Sequence, residues 1–255
     1  MLASSYTSEY VRQYAEVDFE PFIVEIRRRE LLKSAQLYSH RRVLEIGCAL
    51  EPLYPYLDGF DSYTIVEPSV EMSRTVAAAA ADARNVRVVN ATLQDSVREL
   101  REGAFDFIVC SSVLHEVGDP KPFLSALRAV CDARTVCHLN VPNAASFHRL
   151  LAVEMGLIER VDEPSARDRR FGHNAVFNRE SLRTLLGDSG FRVLRDGTFF
   201  IKPFTHDQMS MLLNQRIVPE TVVDGLYRMS KYFPDHGCEL FLEVQAAPER
   251  GYPAK

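Results

Sequence analysis

The sequence predicts an α/β fold: a mostly parallel sheet of seven strands, with an antiparallel hairpin at one edge and a helical lid. Three observations carry this. Between Arg42 and Val141, short β-rich runs alternate with helical stretches. Several of these runs are apolar throughout, as strands covered on both faces of a parallel sheet are. After the fifth run the alternation stops, and the chain finishes with two more strand-like runs separated by a helical excursion.

Taken in order, Phe22 to Leu37 carries apolar residues at helical spacing around an Arg-rich face and reads as an amphipathic helix. Arg42 to Gly47 is the first strand, ending in glycine, and Ser62 to Val66 is the second, ending at Glu67. The Ala-rich stretch Ser69 to Ala83 is a helix opened by a Ser cap. Val86 to Asn90, Phe105 to Cys110 and Thr135 to Val141 are three further strands, with a helix at Pro122 to Val130. Ser146 to Leu157 is helical, and the polar run Glu159 to Phe177 is a loop. Glu180 to Asp188 is a helix closed by Gly190, and Phe191 to Lys202 a sixth strand. Two helices over Thr205 to Tyr232 and a strand over Glu239 to Gln245 complete the chain. No repeat or Pro/Ser-rich linker interrupts this order. The expectation is one domain over residues 1–255, with 1–41 as an N-terminal helical cap and 203–237 as a helical insertion before the last strand.

Composition narrows the function classes. A chain of 255 residues with 46% hydrophobic and 25% charged residues can bury a full core. No apolar run is long enough for a bilayer, and the start MLASSYTSEYVRQY lacks a basic segment followed by an apolar one. Five irregularly spaced cysteines without a C-x-x-C pair describe neither a disulfide framework nor a zinc site. They read as buried thiols of a reducing compartment, so a cytoplasmic protein without bound metal is expected. A net charge of −5 argues against a broad nucleic-acid footprint.

Ligands of open α/β sheets lie outside the carboxyl ends of the strands. The first strand-to-helix turn runs through Gly47-Cys48-Ala49-Leu50-Glu51, where a dinucleotide site wants G-x-G-x-x-G. Only Gly47 is kept, and a pyrophosphate would meet Glu51, so a nicotinamide or flavin dinucleotide is disfavoured. S-adenosylmethionine (SAM) carries no phosphate. It needs one close backbone approach, an acceptor for its ribose hydroxyls and a polar place for its aminoacyl end. Glu67, twenty residues after Gly47, can accept from both hydroxyls; alternatively it caps the helix that starts near Ser69. Thr92, Leu93 and Gln94 follow the third strand, where an adenine edge would lie. Ser111 and Ser112, after the fourth, either border the methionine part or are ordinary turn residues.

The stretches VLEIGCALEPL, IVEPS and FDFIVCSSVLHEVGDP resemble motif I, the acidic loop and motif IV of class I SAM-dependent methyltransferases, over about Val43 to Gly190. The resemblance implies a Rossmann-like sheet whose last two strands form the family's edge hairpin. It implies that Glu45, Gly47, Cys48 and Ala49 line the methionine end, that Glu67 with Pro68 holds the ribose, and that Thr92 to Gln94 border the adenine. Ala49, where the motif has glycine, is its departure.

His115, a few residues past the fourth strand, is the candidate for proton abstraction or acceptor binding, since imidazole titrates near neutrality. Its other reading is a histidine tied to its loop or to Glu116. Asn143, His148, Arg149, Arg167, Arg169, Arg170, His173, Lys202 and His206 form a local basic excess suited to a phosphate, phosphonate or carboxylate; such clusters are also often solvated faces. The segments VPNAASFHRLLAVEMG, GHNAVFNRESLRTLLGDSGFRVL and FFIKPFTHDQM resemble methyltransferases of bacterial surface-polysaccharide and natural-product pathways. This implies an O-methyltransferase with an anionic or sugar-like small-molecule acceptor, contacted by Asn143, His148, Lys202 and His206. Arg27 and Arg28 could reach the SAM carboxylate from the N-terminal helix. A methyltransferase for protein or nucleic acid is weakened by the net charge and by Ser111-Ser112-Val113-Leu114, where an Asn/Asp-Pro-Pro-Tyr-like turn would stand. The competing class is a SAM-binding regulatory or assembly protein without catalysis. Met209, Met211, Leu212, Leu226 and Met229 would serve a moving lid or a homodimer interface equally.

Overall fold

The computed structural model describes residues 19–164 and 175–248. Helix α1 (Glu20–Ala35) precedes β1 (Arg42–Ile46), β2 (Ser62–Val66), α2 (Val70–Ala79), β3 (Val86–Val89), α3 (Leu93–Leu100) and β4 (Phe107–Ser111). Then come α4 (Pro120–Ala129), β5 (Val136–Pro142), α5 (Phe147–Glu154), α6 (Arg179–Asp188) and β6 (Phe191–Phe199). The chain closes through α7 (His206–Asn214), α8 (Thr221–Met229) and β7 (Glu239–Ala246).

The strands form one seven-stranded Rossmann-like sheet in the order β3-β2-β1-β4-β5-β7-β6. The first five are parallel, while β7 runs antiparallel to both β5 and β6. Strand order reverses between β1 and β4, so the crevice outside their carboxyl ends is the expected ligand position.

Period-two alternation sends successive side chains to opposite faces. Leu44, Ile46, Ile108, Cys110, Leu139 and Leu242 pack on one face against α3, α4 and α6. Val43, Tyr63, Ile65, Phe107 and Val109 pack on the other against α1, α2 and the turn Leu53–Leu57. A third cluster joins Phe19, Ile23 and Ile26 of α1 to Phe199, Phe200, Met209 and Val223, seating the lid helices on α1.

Three expectations are corrected. The turn after β1 leads into no α-helix: a single 3₁₀ turn, Tyr54–Tyr56, stands between β1 and β2. Pro52 and Pro55 lack the N–H groups a helix would need there. Strand β6 ends at Phe199 rather than Lys202, because Phe200 takes φ +63° and donates its N–H to Ser230 Oγ at 2.7 Å. Helix α1 does not turn all its charge outward. Glu20, Arg27 and Ser34, seven residues apart, form a polar stripe facing the sheet. Helix α6 closes as expected, with Gly190 at φ +81° just beyond its end.

Candidate active site at the strand ends

The turn after β1 is built around Gly47. Its φ is +69°, its N–H donates to the Val66 carbonyl at 2.9 Å, and an added Cβ would lie 2.6 Å from Val113 Cγ2. Val113 follows β4, so the glycine lets the two central strand ends close on one another. Ala49 also takes a left-handed φ, +49°. Its N–H donates to Glu67 Oε2 at 3.2 Å, which holds the backbone that a second glycine would otherwise relax.

Glu67 is buried, and its other oxygen accepts the Ser69 N–H at 2.9 Å. Burial pushes its carboxyl up, and the two N–H donors oppose that shift. Ser69 itself is the cap of α2, accepting the Met72 N–H, so Glu67 braces the turn rather than capping the helix. Asn90, which sequence reasoning missed, donates its amide to the Glu67 and Pro68 carbonyls at 2.9 and 3.2 Å. In the sequence it stands as the last residue of the third β-rich run.

Glu45 lies beneath the turn. Its carboxylate accepts from Leu53 N–H at 3.1 Å and from the Tyr63 hydroxyl at 2.8 Å. Complete burial raises its pKa to about 7 despite those donors. Cys48 is buried below the same turn, its thiol pushed up by burial and by Glu45 and Glu67. Thr92 caps α3 through Asp95, Leu93 turns its side chain into the main core, and Gln94 is exposed. Of these three, Leu93 therefore offers only backbone to a neighbour. Ser112 takes φ +60° and donates its N–H to the Asn140 carbonyl at 2.9 Å. His115 is buried in the following turn, with Nε2 4.0 Å from Glu116 Oε1.

On the lid side the structure brings Lys202 and His206 together, with Nζ and Nδ1 2.8 Å apart. His206 Nε2 lies 3.4 Å from Glu20 Oε2. Arg27 bridges Glu20 at 3.1 Å and Glu239 at 2.7 Å, and Asn140 donates to Glu239 at 3.0 Å. In this buried run Glu20 and Glu239 stand among the cations. Arg27 is directed to them, and Arg28 to Glu51 at 2.7 Å with its guanidinium over the Tyr56 ring. Asn143 is committed to backbone, donating to the Asp235 and Gly237 carbonyls and accepting the Ala145 N–H. Arg149 clamps the Val161 and Glu163 carbonyls after α5, and His148 is half-buried on α5. Arg167, Arg169, Arg170 and His173 lie outside the described residues.

The donor set fits SAM better than a dinucleotide. The turn has one close backbone approach and a carboxylate facing it, but no α-helix N-terminus to receive a pyrophosphate. Among the described residues, no group of three His, Cys, Asp or Glu side chains could hold a metal ion, and no helix is long and apolar enough to cross a membrane.

Residues 20–196 match the model of a family described as a methyltransferase domain, and the chain belongs to that family. It is a SAM-dependent methyltransferase. Solved structures share the fold. A SAM-dependent methyltransferase from Thermotoga maritima is 17% identical, with 93% of this chain and 94% of that one covered and a TM-score of 0.58. The N-methyltransferase NodS from Bradyrhizobium japonicum is 15% identical over 89% and 98%, at 0.54. The plantazolicin methyltransferase BamL, solved with S-adenosylhomocysteine, is 13% identical over 96% and 90%, at 0.55. No curated protein sequence matches the chain.

Proposed function

We propose that the chain methylates a hydroxyl oxygen of a small sugar-like acceptor, held where α1, β5, β7 and the lid meet. The supporting observation is the alternation of buried charge there: Lys202 and His206 against Glu20, then Arg27, Glu239 and Asn140. A sugar hydroxyl both donates and accepts, which suits carboxylates and cations placed side by side. A phosphate or carboxylate acceptor would approach Glu20 and Glu239 and favours an unbalanced cation set. Of the two acceptor classes read from the sequence, the sugar-like one is therefore preferred.

The cofactor supplies an electrophilic methyl group on a sulfonium. In this reading Glu67 receives the ribose hydroxyls, Thr92 and Gln94 border the adenine, and the turn from Gly47 to Leu53 with Ser111 and Ser112 surrounds the aminoacyl end. His115 takes the hydroxyl proton as the acceptor oxygen bonds to the methyl carbon and the carbon–sulfur bond breaks. Glu116, 4.0 Å away, favours the resulting imidazolium. Alignment of acceptor and methyl group supplies much of the rate in such an in-line displacement.

The test is a panel of free and nucleotide-linked sugars, sugar phosphates, carboxylates and amines, offered with SAM and read by mass spectrometry. A methyl ether on a sugar hydroxyl is expected. A methyl ester or a methylated amine as the preferred product overturns the acceptor class.

A further inference from the structure

The connection from β1 to β2 has no α-helix to stiffen it, so groups from outside must fix its shape. Glu67, just past β2, holds Ala49, and Glu45 in β1 holds Leu53. A third group comes from α1. Arg28 Nη2 lies 2.7 Å from Glu51 Oε2, and its guanidinium carbon sits 3.7 Å from the centre of the Tyr56 ring. The neighbouring arginines point elsewhere: Arg27 to Glu20 and Glu239, Arg29 to Glu25 and Asp224. Successive helical residues diverge by about a third of a turn, so this run sends one guanidinium to each of three regions. Of the three, only Arg28 reaches the connection after β1.

We infer that Arg28 is a positioning residue for the cofactor, acting through Glu51 and Tyr56 to hold the Cys48–Pro52 segment in its binding shape. The inference rests on the reading that this turn borders the aminoacyl end. The ion pair and the stacked ring act together. Arg28 is mostly covered whereas Glu51 is largely exposed, so the ion pair alone is screened. The face of Tyr56 adds a cation–π contact that fixes the plane of the fork. A segment held in shape before the ligand arrives loses less entropy on binding. The removal of Arg28 should therefore register in affinity more than in fold.

Calorimetric titration of the full chain with S-adenosylhomocysteine tests this, using wild type, Arg28→Ala, Glu51→Ala and the double variant. Each single change should weaken binding about three- to tenfold, and the double variant should be no weaker than the worse single one. Arg28→Lys, which keeps the charge and loses the stacked plane, should fall between wild type and Arg28→Ala. Arg41→Ala, which removes a surface pair with Asp61 near the end of the same connection, should leave affinity unchanged. Affinities within twofold of wild type, additive losses in the double variant, or a lowered melting temperature with affinity retained would each overturn the inference. Tighter binding by Glu51→Ala would overturn it too, since a released Arg28 would then be meeting the ligand's carboxylate directly. A wild type that binds nothing sinks the cofactor-turn reading as well. If Glu67→Ala weakens binding and Arg28→Ala does not, the inference fails alone.

Discussion

Glu45 shows how placement alters a single side chain. Buried under the first turn, its carboxyl titrates near 7, above an unfolded value of roughly 4.3. Between those values the folded state holds more protons than the unfolded one. Stability therefore rises as pH falls from above 7 towards 4.5, and the gain is complete below the unfolded value. The span is on the order of 4 kcal/mol at most. Glu45→Gln keeps an oxygen for Leu53 N–H and Tyr63 while removing the charge. Denaturant unfolding at pH 8 and pH 5 should show this rise in wild type and lack it in the variant. His115 is the other residue with a definite expectation. Its change to Ala should slow turnover by about a hundredfold or more, with S-adenosylhomocysteine affinity within twofold of wild type. An unchanged rate would remove it from the chemistry. The turn at Gly47 and the carboxylate facing it at Glu67 were legible in the sequence because both stand directly after β-rich runs. Asn90 and Arg28 were not: their partners are backbone carbonyls in one case and a loop carboxylate in the other, which no spacing rule connects.

At the scale of elements, α1 departs most from its sequence reading. A run of three arginines among apolar residues looks like a solvated face, yet Arg27 is directed inward because Glu239 waits 212 positions later in the chain. Local periodicity carries no information about such a partner. The strands were easier, since a β-rich apolar run needs only a sheet on either side to make sense. The missing helix after β1 could have been read from Pro52 and Pro55, which lack the N–H groups an α-helix needs there. The buried pairs of α1 also make it sensitive. Arg27→Met would leave Glu20 and Glu239 buried without their shared cation, costing roughly 3–5 kcal/mol in urea unfolding. Adding Glu239→Gln should recover part of that loss. A cost below about 1 kcal/mol would mean that the stripe is solvated after all.

For the whole molecule, the decisive feature is that β7 enters between β5 and β6, so β6 touches the sheet only through the last strand. The sequence showed seven strands and a final antiparallel pair; which member of that pair lies beside β5 was not legible, because strand spacing is silent about it. The seam is closed at Gly237, whose N–H donates to Thr198 Oγ1 and whose carbonyl accepts from Asn143. A Cβ there would lie 2.4 Å from the Phe199 backbone nitrogen, which has no flexible end to give way. Gly237→Ala should therefore destabilise by about 3 kcal/mol or more, measured by thermal or urea unfolding, or prevent folding outright. A melting temperature within two or three degrees of wild type, about what 1 kcal/mol moves in a chain of this size, would show that the seam adapts.

The same seam has a consequence for variation. Cys238 N–H meets the Phe200 carbonyl at 2.8 Å, so the whole lid leaves and re-enters the sheet at one point, as the loop of a long hairpin. Closing such a loop costs only the slow logarithm of its length. Lid length is thus nearly free for the sheet, while lid sequence is tied at Gly237, at Ser230 and along the apolar side of α1 on which the lid rests. Residues can therefore be gained or lost between Phe200 and Cys238 while the register of β6 on β7 stays as it is.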